Sequence, residues 1–154
     1  MVMTKLHTLD LHVIAWARRS FMSIARFAFF LIFFYFGFLK LVGLSPATPL
    51  AEALTAQTIG NDWFHVAFMG LAVIECLIGV LFLIPRATRV VIPLLFVHLI
   101  VVCSPLILVP GYVWTAPFVP NLEGQYIVKN IALVAIAIGL VASTPPLRRS
   151  TNGS

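Results

Sequence analysis

The stretch 27–44, FAFFLIFFYFGFLKLVGL, decides how the chain is read. It is about as long as the oily thickness of a bilayer, which a helix crosses in roughly 20 residues. One ionisable side chain, Lys40, stands inside it. Three more apolar runs follow at about 63–84, 90–109 and 126–143, and they carry Glu75, His98 and, near an outer end, Lys129. The resulting reading is all-α: an integral membrane four-helix bundle with both termini cytoplasmic, built to hold these four groups together in lipid.

Composition supports that solvent. The 154 residues are 61% hydrophobic and only 10% charged, with a mean hydropathy of +1.06. Soluble domains carry about a quarter charged residues, and a chain with so few cannot cover a core with polar surface. The net charge of +5 does not point to nucleic acid, because the basic residues sit at the ends of apolar runs and form no stripe. Cys76 and Cys103 both fall inside spans, at helical depths differing by about 7 Å, so no disulfide is expected between them. The first apolar run starts late, is too long for a signal-peptide core and has no small-residue cleavage site after it, so no signal peptide is expected.

Around the first span the chain divides into a cytoplasmic or interfacial segment 1–26, a four-span domain 27–143 and a cytoplasmic tail 144–154. Within the first segment Leu6, Leu9, Val13 and Trp16 recur at helical spacing, which suits either a helix lying in the headgroup layer or a basic tail. Gly37, Gly43, Gly70 and Gly79 mark places where helices can approach closely. The connection 45–62 predicts a short helix with Thr48 as its cap and Pro49 as its first residue. Pro93 and Pro105 predict a kink in the third span, and three prolines exclude a regular helix across 110–125. Lys5, Arg18, Arg19, Arg26, Arg86, Arg89, Arg148 and Arg149 all fall on one side, while the two opposite connections have no Lys or Arg. The excess of Lys and Arg on cytoplasmic loops sets the orientation.

Counted from the cytoplasmic ends at ~1.5 Å per residue, His98 lies ~14 Å deep, Glu75 ~16 Å, Lys40 ~21 Å and Lys129 ~24 Å. An ionised, unpaired carboxylate at that depth costs ~2.5–3.5 kcal/mol. Glu75 must therefore pair with a cation, sit in a wet cavity or stay protonated, and pairing with Lys40 is the favoured reading. The plainer alternatives are lysines that snorkel to the interface and a neutral His98 bonded to a backbone carbonyl. Asn130 offers a hydrogen bond between helices. Phe33 and Phe36 are the candidate walls of an apolar pocket. The chain has no metal-ligand spacing, no pair of histidines placed for haem, and no nucleotide or nucleophile-elbow motif.

GFLK at 37–40, IECLIG at 74–79 and EGQYIVKN at 123–130, together with the four-span layout, resemble the DoxX-like superfamily, nearest its YkgB branch of small bacterial inner-membrane proteins. The resemblance covers about residues 27–143. It implies redox or oxidative-stress association, since the family takes its name from a subunit of a thiosulfate:quinone oxidoreductase. It maps Lys40, Glu75, Lys129 and Asn130 onto the family's recurring polar positions. It implies an accessory membrane subunit more than a stand-alone enzyme.

Three functions follow as expectations. The first is a redox-linked protein binding a small apolar ligand such as a quinone among Lys40, Glu75, His98, Lys129 and Asn130, with a soluble redox protein or membrane partner exchanging electrons. The second is a scaffold or assembly factor without catalysis. The third is a small-solute or proton transporter, which with four spans would call for a homodimer.

Overall fold

The structure is a computed structural model that describes residues 2–146, with side chains from residue 6 onward. The tail expected at 144–154, Arg148 and Arg149 included, lies outside the described residues after Pro146, as does the side chain of Lys5. The chain is mostly helical: α1 (Val2–Leu41), α2 (Thr48–Thr58), α3 (Phe64–Phe82), α4 (Thr88–Cys103), α5 (Pro105–Leu108), α6 (Pro110–Val113), a two-stranded ribbon β1 (Trp114–Ala116) and β2 (Val119–Pro120), α7 (Leu122–Val128) and α8 (Asn130–Ala142). Among the described residues, four helical stretches are long and apolar enough to cross a membrane: Leu6–Leu41, Asn61–Phe82, Pro85–Leu108 and Leu122–Ala142. This is a multi-pass, all-α bundle, in which α1 packs on α3, α3 on α4, α4 on α8, and α8 back on α1.

The first span is the end of a much longer helix than expected. α1 runs unbroken for 40 residues, about 60 Å at 1.5 Å per residue. Nothing before Gly37 is Pro or Gly, so nothing in the sequence breaks it. Gly43 ends it. With φ +74 it lets the Leu44 N–H reach back to the Leu39 carbonyl at 2.8 Å, which closes the helix end. Gly43 is therefore a stop signal and not a packing site, and open space surrounds it.

α1 and α3 meet through two other glycines. A Cβ on Gly37 would lie 2.8 Å from the Ala72 carbonyl oxygen and 2.9 Å from the Cys76 nitrogen. A Cβ on Gly79 would lie 2.7 Å from the Phe34 nitrogen. Each helix thus uses one missing side chain to bring its backbone against the other, as small residues do between membrane helices. Gly70, expected to do the same, has nothing near it.

Below the crossing, Phe29, Phe33, Ile78, Phe82, Val91 and Leu95 fill the centre, with the Phe29 and Phe82 rings stacked 4.2 Å apart. Arg26 closes this end. Its guanidinium donates to the last carbonyl of α3, Phe82, at 3.2 Å and to the Thr88 hydroxyl at the start of α4 at 2.6 Å. Arg26→Met is expected to cost about 1.5–3 kcal/mol, the range for hydrogen bonds to charged groups, seen as a lower unfolding temperature in detergent. An unchanged temperature would mean that Arg26 holds nothing.

The opposite end is more structured than expected. Thr48 is the first residue of α2 and not its cap; Ala47 takes the cap position, and the Thr48 hydroxyl donates back to the Ser45 carbonyl at 2.8 Å. α2 rests on α3 and α5. The third span breaks at Ser104, so Pro105 opens α5 where its missing N–H costs least. Within 110–125, Pro110 starts a single helical turn, 114–120 forms the β1–β2 ribbon, and α7 begins at Leu122. Asn121 caps α7, accepting from the Gly124 N–H at 2.9 Å, so this helix starts four residues before the expected position 126.

Candidate functional site

One stripe of α1 faces the bundle: Arg26, Phe29, Phe33, Gly37 and Lys40, at spacings of three and four. It is charged at both ends and apolar between them. α3 answers with Phe68, Ala72, Glu75, Gly79 and Phe82, and α4 with Val91, Leu95 and His98. The same periodicity that builds the core therefore delivers Lys40, Glu75 and His98 to one point.

Direction matters as much as spacing. Helical side chains lean toward the N-terminus of their own helix. α1 and α3 run antiparallel, so Lys40, one turn beyond Gly37, leans back along α1 while Glu75 leans the other way along α3. The two meet with Lys40 Nζ donating to Glu75 Oε2 at 2.5 Å. His98 Nε2 stands 3.4 Å from the other carboxylate oxygen. The side chains of Lys40, Glu75 and His98 are only 8%, 6% and 3% exposed. Glu75 is thus the shared centre, with one oxygen for each partner.

His98 has a second neighbour and a missing one. The Phe33 ring meets its imidazole edge-on at 5.4 Å, so Phe33 is part of the wall around the site. The remaining ring nitrogen, Nδ1, is buried without a hydrogen-bond partner. Nε2 is the ring nitrogen near Glu75, and placing the proton of a neutral ring on it leaves Nδ1 as an acceptor lone pair.

Three residues expected here lie elsewhere. Phe36 is 46% exposed, because it is turned onto the flank of the α1 stripe, so it lines no pocket with Phe33. Lys129 is exposed, and its Nζ lies 4.8 Å from the centre of the Tyr126 ring. It stands two residues past the buried Ile127, about 200° around the helix, which turns it away from the triad. Asn130 returns to the inward face, half-buried, but its amide reaches Cys103 Sγ at 4.0 Å and not Glu75. Cys76 and Cys103 are unlinked.

Sequence reasoning treated Arg26 only as a marker of topology. Its signal was present: it precedes Lys40 by fourteen residues, four helical turns, and shares the face of Phe29 and Phe33. Among the described residues, Lys40, Glu75 and His98 form the buried cluster of ionisable groups, and no family model, curated protein or solved structure matches the chain.

Proposed function

We propose that this is a DoxX-like protein of the bacterial inner membrane, associated with redox or oxidative-stress chemistry, whose Lys40–Glu75–His98 triad receives the polar head of a small apolar ligand of the quinone class. Both termini lie in the cytoplasm on this reading, supported by Arg18, Arg19, Arg26, Arg86 and Arg89 at one end of the bundle. The observation that carries the ligand is Nδ1 of His98, an acceptor without a partner beside an aromatic wall. Binding sites of this class have apolar walls and a few placed polar groups. A quinone or its reduced form supplies two-electron chemistry when bound, with partner proteins exchanging the electrons.

The chain's own residues bind and handle the proton. His98 Nδ1 accepts from a ligand hydroxyl, and Nε2 passes its proton toward Glu75 Oε1. Lys40 holds its charge against Oε2 and keeps the carboxylate in place. The apolar packing between Glu75 and Arg26 excludes water from the cytoplasmic side. That supports proton exchange toward the outer side alone, and speaks against a proton transporter.

His98→Leu tests this. It removes the acceptor while filling its volume, and Glu75 keeps Lys40 on its other oxygen. In nanodiscs the variant is expected to bind decylubiquinol about tenfold more weakly than wild type, the loss of roughly one net hydrogen bond, with a stability loss of about 1–3 kcal/mol from the buried Glu75 oxygen that loses its neighbour. Equal affinity would remove the ligand reading.

A scaffold or assembly role has one observation in its favour. Phe118, at the turn of the β1–β2 ribbon, holds φ 61 and is 93% exposed. A bulky residue in that conformation is a genuine outlier, and this one is presented on a ribbon held by Asn121 and Trp114, which donate to the carbonyls of Tyr112 and Leu106. If docking is the function, Phe118→Asp should lose a co-purifying membrane or soluble partner while His98→Leu keeps it.

A further inference from the structure

At the end of the bundle that Arg26 closes, α4 and α8 leave a gap between them. A cleft of about 370 Å³ lies between the start of α4 and the end of α8. Ile92 and Pro93 wall one side of it and Val141 and Pro145 the other, with the buried Thr88 behind and the exposed Arg89 at the rim. It shares no residue with the triad. The sequence accounts for the gap. Pro93 sits inside α4, where its ring crowds the carbonyl one turn earlier, and Pro145 and Pro146 prevent α8 from continuing.

The cleft is apolar in its depth and cationic at its rim. Pro93 lies ~6 Å inward of Arg89 along α4, and Val141 stands opposite in the last turn of α8. Both are exposed on the flank of the bundle, so the cleft opens sideways, where lipid surrounds a membrane helix. Arg89 uses one N–H on the Pro145 carbonyl at 2.7 Å, and a guanidinium has five. Arg26 adds its charge from behind, donating to the Thr88 hydroxyl at 2.6 Å. Arg86 stands on the turn before α4.

Among the described residues no carboxylate pairs with these three. Glu75 already belongs to Lys40. Glu52, Asp62 and Glu123 are at the opposite end of the bundle. Asp10 lies ~24 Å before Arg26 along α1, about three Debye lengths in physiological salt. Residues 147–154 contain Arg148 and Arg149 but no Asp or Glu. A free phosphate would satisfy the rim and leave the apolar walls bare. A neutral lipid would fill the walls and leave the guanidinium groups unmatched. A phospholipid of net negative charge matches both, as basic pockets between membrane helices do for anionic headgroups.

We propose that the cleft between α4 and α8 binds an anionic phospholipid, with Arg89 on its phosphate and one acyl chain against Pro93 and Val141. Native mass spectrometry of the full chain, titrated in detergent with phosphatidylglycerol or with phosphatidylcholine of the same chains, should show phosphatidylglycerol retained in preference. Arg89→Gln should weaken its binding about fivefold. Arg19→Gln makes the same charge change on the exposed part of α1 and should leave the binding nearly unchanged. Val141→Phe fills the cleft without altering a charge, and it should weaken phosphatidylglycerol binding about as much as Arg89→Gln. Arg89 and Val141 are both exposed, so each variant should keep the helical circular dichroism of the wild type. Equal retention of the two lipids overturns the proposal. Equal losses for Arg89→Gln and Arg19→Gln do so as well, since unspecific charge attraction would then be the whole effect. Binding that Val141→Phe leaves intact, or that an excess of glycerol phosphate displaces, also overturns it, because no acyl chain would then lie in the cleft.

Discussion

Glu75→Leu is expected to destabilise the protein by about 3–5 kcal/mol, and adding Lys40→Met should restore most of that loss. The single change leaves an ammonium without its carboxylate in a place where Lys40 is buried. Lys40→Met alone should be costly in the same way, since it leaves Glu75 with only the longer contact to His98 at 3.4 Å. The double variant replaces a buried ion pair by apolar volume, an exchange that is often neutral or favourable. Unfolding temperatures of the four proteins in one detergent complete the cycle. A double variant whose loss equals the sum of the two single losses would show that the two side chains are not coupled. If it is stable but fails to bind ligand or support oxidant resistance, the pair is kept for chemistry and not for strength.

The second large effect belongs to the α1–α3 crossing. Gly37→Ala is expected to cost about 1–3 kcal/mol, the range for overpacking a fitted contact, because its methyl would meet backbone atoms at 2.8 and 2.9 Å that have no rotamer to change. Gly79→Ala should behave alike, and a valine at either position should be worse. Gly70→Ala is the control. With open space around it, it should gain up to about 1 kcal/mol from helix propensity. If Gly37→Ala and Gly70→Ala melt together, the close crossing is not what sets the spacing of the helices. Separating the helices should also part Lys40 from Glu75, so Gly37→Ala is expected to weaken ligand binding without touching a polar atom of the site.

Much of this was legible in the chain alone, and the reason is periodicity. Four apolar runs with an ionisable group in each read as spans whatever their tertiary arrangement, and the depths of Lys40 and Glu75 put the two within reach of one another. The pairing rule failed at Lys129 because depth alone says nothing about rotation around the helix axis. Ile127 and Lys129 differ by two residues, and that difference separates inside from outside. Phe36 failed for a similar reason, being one step off the stripe of Phe33 and Gly37. Arg26 was invisible as a structural residue because both of its acceptors, the Phe82 carbonyl and the Thr88 hydroxyl, arrive from sequence more than fifty residues away. The length of α1 was hidden too. A weakly amphipathic segment looks the same whether it lies flat, frays or continues a membrane helix, and only the absence of Pro and Gly before Gly37 hinted at the third.

The distance along the chain between Lys40 and Glu75, 35 residues, has a consequence for how the molecule is made. The first span leaves the ribosome with its amine and nothing to neutralise it. At 5–20 residues per second the carboxylate follows about 2–7 s later. Until then the buried pair cannot form, so synthesis of the second long helix is what closes it.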